Sequence, residues 1–189
     1  MTSIERFCSA DRRASAELTS IPALARRSAE QNRSMLVNGD FRQGKSAWHG
    51  QWEIDGQTTI GGKPSCKVVS TLSGNDAYQA LAQGAQRLKP STRYRFSYFL
   101  KIQDVVPVKK RGGVYGNIYA GGNVWFPKFE GHKGSSDWMF QSFEFTTSPE
   151  TNVKYKSYVS LRILNAKGTA WFSDVRLEEL PPEKSEEIK

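Results

Sequence analysis

Residues 39–46, Gly39-Asp40-Phe41-Arg42-Gln43-Gly44-Lys45-Ser46, have the spacing of a phosphate-binding loop. In such a loop backbone N–H groups cradle the phosphates and the lysine reaches toward them. That chemistry needs a helix directly behind the lysine, with its N-terminus facing the anion. Here the chain continues AWHGQWEIDG, rich in Trp and Gly and poor in helix formers, and no alternation of strands and helices follows. The match is read as coincidence. The only histidines, His49 and His132, belong to no HExxH pair, and no cluster of Cys, His and carboxylates has metal-ligand spacing. There is no GxSxG elbow, and Cys66 has no evident base partner, so nucleophilic catalysis lacks a candidate pair. Cys8 and Cys66 have no CxxC spacing and read as two partly buried thiols. Paired carboxylates for glycoside cleavage would have to meet in the fold, and acidic residues are sparse among the aromatic segments. The residues point away from catalysis.

A different chemistry is written in the stretch 112–138. It sets Tyr115, Tyr119, Trp125 and Trp138 among glycines and polar groups, and strand alternation puts Tyr115, Asn117 and Tyr119 on one face. Phe99 and Lys101 share a face of an earlier strand, and Trp48 and Trp52 frame another loop. Aromatic faces suit the flat C–H patches of a sugar ring, while amides and ammonium groups satisfy the hydroxyls at its rim. The candidate ligand-binding set is therefore Trp48, Trp52, Phe99, Lys101, Tyr115, Asn117, Tyr119, Trp125 and Trp138. Aromatics also fill cores, and about half of these rings are expected there. Trp171, followed by Phe172, is the first choice for the core.

The elements that must position these residues are strands. From Met35 onward short alternating segments are separated by Gly, Pro, Asn, Asp and Ser, which predicts strands near 35–40, 48–54, 65–70, 78–83, 93–102, 113–119, 138–145, 158–164 and 169–177. Alternation is clearest where Tyr94, Phe96, Tyr98 and Leu100 share one face. Many short antiparallel strands imply an all-β sandwich or jelly roll over residues 35–180. Residues 1–34, rich in Ala, Arg, Glu and Gln, read as a short helical extension or linker, and 181–189 as a charged tail. A chain of 189 residues suits one such domain plus an extension. No segment has the length of an apolar membrane span, and the start, MTSIERFCSADRR, lacks the apolar stretch of a signal peptide. The formal net charge is +8, of which residues 38–180 contribute +7 through nineteen basic and twelve acidic side chains. Such a field favours anionic partners in association without specifying a fold. No nucleic-acid partner is expected.

Four pieces, in order, carry a family resemblance. They are Asn38-Gly39-Asp40-Phe41 followed by Trp48; Leu88-Lys89-Pro90 through Thr92-Arg93-Tyr94-Arg95-Phe96-Ser97, closed by Lys101; Asp137-Trp138 with Phe143-Glu144-Phe145-Thr146; and Gly168-Thr169-Ala170-Trp171-Phe172-Ser173-Asp174-Val175-Arg176-Leu177-Glu178. Residues 35–180 thereby resemble the jelly-roll carbohydrate-binding modules of families four, nine and twenty-two. The resemblance implies two antiparallel sheets, a cleft on one of them and binding of polysaccharide or oligosaccharide. It also implies an extracellular, cell-surface or periplasmic setting beside neighbouring domains of a larger chain. A structural calcium is implied as well, with Asp174 and Asp40 as its candidate ligands. Arg42 stands where the family often has Glu, and Ser173 replaces an aspartate, two departures that work against a divalent cation.

Overall fold

The computed structural model describes residues 34–71, 78–85, 88–120, 123–125, 130–153 and 156–182. By its contacts the chain divides into two units, 1–34 and 35–189, and the sandwich lies in the second. The expected helices of the first 34 residues fall almost wholly outside the described residues, as does most of the charged tail.

Ten strands follow in chain order: β1 (His49–Gly50), β2 (Glu53–Ile60), β3 (Lys63–Ser70), β4 (Tyr78–Gly84), β5 (Arg93–Pro107), β6 (Gly113–Ala120), β7 (Asn123–Trp125), β8 (Gly134–Thr146), β9 (Tyr158–Leu164) and β10 (Ala166–Glu179). They form two five-stranded sheets, β1-β4-β9-β6-β7 (sheet I) and β2-β3-β10-β5-β8 (sheet II), with every pairing antiparallel. Most consecutive strands lie in opposite sheets, the β2–β3 and β6–β7 hairpins excepted, in keeping with the jelly-roll expectation.

The alternation read from the sequence fills the space between the sheets. Tyr94, Phe96, Tyr98, Leu100 and Ile102 of β5 are buried, and so are Ala170, Phe172, Val175 and Leu177 of β10. Facing them are Leu81 of β4, Val114 and Ile118 of β6, and Val159, Leu161 and Ile163 of β9. Each fully buried side chain of this size contributes about 1.5–3 kcal/mol of transfer free energy. A polar bond crosses the core: the Gly116 N–H donates to the Tyr98 hydroxyl at 3.0 Å. A Cβ at Gly116 would lie 2.3 Å from Tyr98 Cε1, so glycine is what lets this ring lie under β6.

Two expectations are corrected. The opening segment 35–40 forms no strand. Its backbone is spoken for by other partners: Val37 bonds through N–H and C=O to the Gln83 amide, Met35 N–H donates to Leu177, and Gly39 accepts from Val175. Asn38 then ties residues 38–46 into a turn, its amide nitrogen donating to Gly44 and Ser46 while its oxygen accepts from Gln43. No helix follows Ser46; the chain passes directly to β1, so the phosphate-loop spacing has no structural counterpart. The single strand expected over 48–54 is two short ones in different sheets. This crossing turns Trp48 and Trp52 inward, at 3% and 5% exposure, where both rings pack on Phe41 with centroids 5.6 Å away. They frame no sugar-binding loop. They close one end of the core.

Candidate functional site

The outward faces of the two sheets hold the remaining candidates, and the strand registers assign them. On sheet I, Tyr115 stands beside Arg162, Asn117 beside Ser160 and Tyr119 beside Tyr158 on β6 and β9. Beyond β9, β4 brings Ala80, Ala82 and Gly84 to this face, and exposed His49 of β1 lies next to Ala82. Since Val114, Ile118 and Leu161 point into the core, these residues point away from it.

Tyr119 and Tyr158 stack nearly parallel, with centroids 4.2 Å apart and planes at 13°. Tyr158 is 38% exposed, and Arg162 donates from Nη1 to the Tyr119 hydroxyl at 3.3 Å. Next to the stack, Asn117 and Ser160 are wholly buried, yet the Asn117 amide nitrogen and oxygen and the Ser160 hydroxyl have no hydrogen-bond partner among the described residues. Buried polar groups are nearly always paired, and leaving one unpaired costs about 1–3 kcal/mol. A flat aromatic step with one exposed ring is able to take the apolar face of a sugar ring. Tyr115 does not present a face here. Its hydroxyl donates to the Arg111 carbonyl, and Gly131 presses on its ring where residues 131–132 fold back to pair with Val114.

Phe99, Lys101 and Trp138 fall on the opposite side of the molecule, on the outward face of sheet II. Phe99 lies next to Phe140 of β8 in register, their centroids 5.2 Å apart, and Phe140 is 58% exposed. Lys101 reaches Asp137 at 2.9 Å. Trp138 is half-buried, two residues from Phe140 on the same face. Trp171, expected in the core, instead lies on this outer face beside Lys67 and Lys101, covered, with its indole N–H donating to Asp55 at 2.8 Å. Asp55 is held down at about 2, first by the Thr58 N–H and then, against the opposing cost of burial, by the Trp171 indole and the Gln57 N–H.

The expected set therefore splits across the sandwich. Asn117 and Tyr119 belong to sheet I, while Phe99, Lys101 and Trp138 belong to sheet II, and the core between them prevents a single cleft from using both groups. Trp125 lies on β7 opposite Ile118, and its side chain is outside the described residues. Tyr158, Ser160, Arg162 and His49 were missed. The first three were readable as the polar partners of Val159, Leu161 and Ile163 in the same alternating strand.

The calcium expected at Asp174 and Asp40 is not matched by the donors present. Lys63 Nζ lies 2.7 Å from Asp174 Oδ1, and Arg176 reaches the same carboxylate through Nε at 3.2 Å and Nη2 at 2.9 Å. Asp40 has Arg42 at 3.7 Å. Burial pushes the Asp174 carboxyl up, but the Arg176 and Lys63 donors outweigh it and hold the group below its ordinary range. Among the described residues no group of three or more His, Cys, Asp or Glu gathers to hold a metal ion.

The architecture has counterparts among solved structures. Its fold is that of the carbohydrate-binding jelly rolls. A family 16 carbohydrate-binding module matches with a TM-score of 0.57 at 17% identity, over 76% of this chain and 98% of its own. The xylan-binding CBM22-1 domain of Paenibacillus barcinonensis Xyn10C matches with a TM-score of 0.57 at 8% identity, over 79% and 96%. A Stig cyclase from Fischerella sp. TAU, solved with an indole-pyrrolidine ligand, matches with a TM-score of 0.58 at 16% identity, over 78% and 97%. No family model and no curated protein sequence matches the chain. The fold thus serves carbohydrate-binding modules and a cyclase alike, and the site has to speak for the function. Among the described residues no helix is long and apolar enough to cross a membrane.

Proposed function

We propose that the sandwich is a noncatalytic glycan-binding module that takes a polysaccharide or oligosaccharide across the outward face of sheet I. The observation that carries this is the Tyr119–Tyr158 stack, which leaves the Tyr158 ring open to solvent on that face. A pyranose lies with its C–H face against the exposed Tyr158 ring. His49 lies further along the same face, past Ala82. Among the fold's solved relatives, a family 61 module is in complex with β-1,4-galactotriose. The module works outside the cell or at its surface, appended to a larger chain.

Affinity electrophoresis of the full chain through a panel of neutral and uronic-acid polysaccharides tests this. Retardation by at least one glycan is expected. Tyr158→Ala then weakens binding roughly five- to thirtyfold, the equivalent of about 1–2 kcal/mol at a binding hot spot. A mobility that no polysaccharide changes defeats the proposal.

A second reading has its own observation. Phe140, Val69 and Val106 stand exposed on the outward face of sheet II, at 58%, 45% and 48%. A neighbouring domain packed on that face would cover them. In this reading the sandwich is an accessory domain packed against a catalytic neighbour, and it binds no glycan itself.

A further inference from the structure

The place where the resemblance calls for calcium is already filled by the protein. Three stretches of chain converge there. β10 breaks register between Ser173 and Arg176, with Asp174 at φ +49° in the break. The opening segment lies against that break, Gly39 accepting from the Val175 N–H at 2.9 Å so closely that a Cβ on Gly39 would be 2.0 Å from the Val175 oxygen. The β2–β3 hairpin turns through Gly61 and Gly62, at φ +57° and +70°, and delivers Lys63 as the first residue of β3.

All three charged side chains here are largely enclosed, with 16% of Lys63, 14% of Asp174 and 18% of Arg176 exposed. Both oxygens of Asp174 accept from cations, at 2.7, 2.9 and 3.2 Å. Calcium takes six to eight oxygen ligands and is favoured by their negative charge. Here it would compete for one carboxylate against two fixed positive charges.

We infer that the Lys63 ammonium and the Arg176 guanidinium stand in for a structural metal ion, stapling the β2–β3 hairpin to the closing strand beside the opening segment, so that this sandwich is calcium-independent. The cluster carries one carboxylate and two cations, so a further divalent cation is repelled. Loss of one cation leaves the carboxylate bound to the other.

Thermal unfolding of the full chain in millimolar calcium chloride and in excess EDTA tests this, together with calorimetric titration of the wild-type chain with calcium chloride. The expected result is one melting temperature in both media and no heat of binding. Lys63→Met lowers the melting temperature by about 5 °C in both, a typical cost for a partly buried charge that loses a partner in a domain of this size. Lys63→Arg restores most of the loss. A melting temperature several degrees higher in calcium, or saturable heat on titration, overturns the inference even if the Met variant does not fold. So does a Met variant as stable as wild type.

Discussion

Removing one oxygen atom from the core, in Tyr98→Phe, weakens the link between the two sheets in a calculable way. The Tyr98 side chain is 1% exposed, and its hydroxyl accepts the Gly116 N–H at 3.0 Å, between the strand positions of Tyr115 and Asn117. Phenylalanine keeps the ring packing against Phe96 and Phe172 but leaves that buried N–H without its acceptor. An orphaned buried donor costs about 1–3 kcal/mol, so about 2 kcal/mol is expected. For a chain of this size that is a fall of roughly 4–8 °C in melting temperature. Urea unfolding followed by tryptophan fluorescence should show the midpoint falling by about 1 M with an unchanged slope, since the exposed area on unfolding is the same. Gly116→Ala perturbs the same contact from the other side. It keeps the hydroxyl but forces a methyl to 2.3 Å from the ring, and overpacking of this kind costs about 1–3 kcal/mol or more. A Tyr98→Phe midpoint within error of wild type would refute the claim that this hydroxyl ties β6 to the second sheet.

Three further outcomes follow from the same structure. Asp55, depressed from 3.8 to about 2 by the Thr58 N–H first and also by the Trp171 indole, contributes stability that is full above about pH 4 and is lost as pH falls toward 2. Melts of Asp55→Asn should therefore differ from wild type at pH 6 and converge with it near pH 2; a gap that persists at low pH would assign the effect to packing. Phe140→Ala, on the outward face of sheet II, should leave glycan retardation unchanged, and a loss equal to that of Tyr158→Ala would move the binding face. Cys66 is wholly buried, and burial pushes its thiol up, so in a Cys8→Ser background a thiol reagent should label it only after denaturant is added. Rapid labelling of the native chain contradicts that enclosure.

Much of the fold was legible because the alternating strands report a two-sided environment directly. Tyr94, Phe96, Tyr98 and Leu100 point inward as their spacing requires, and Val159, Leu161 and Ile163 do the same from the other sheet. The pieces that carried the family resemblance turn out to be framework. Asn38 caps the opening turn, Phe41 packs on Trp48, Leu88 is buried beside Lys89, whose N–H meets the Tyr94 hydroxyl, and Phe172, Val175 and Leu177 line the core. They report how the chain folds and leave the ligand face unspecified. That is why the site was only partly readable. Alternation says that two residues share a face of one strand, but the assignment of strands to sheets is a long-range fact. Phe99 and Tyr119 therefore looked alike in sequence and stand on opposite sides of the molecule. The two tryptophans of the opening loop were misplaced for a related reason, since one expected strand crosses between sheets and carries both rings inward.

The central claim is that a glycan meets this sandwich on sheet I, at the Tyr119–Tyr158 step. The most direct measurement is a titration of isotope-labelled protein with an oligosaccharide of the polysaccharide that retards it, following backbone amide shifts. The account predicts that saturable shifts cluster on β6 and β9, around residues 117–119 and 158–162, and disappear in Tyr119→Ala/Tyr158→Ala. Shifts confined to β5 and β8, around Phe99 and Phe140, would contradict it.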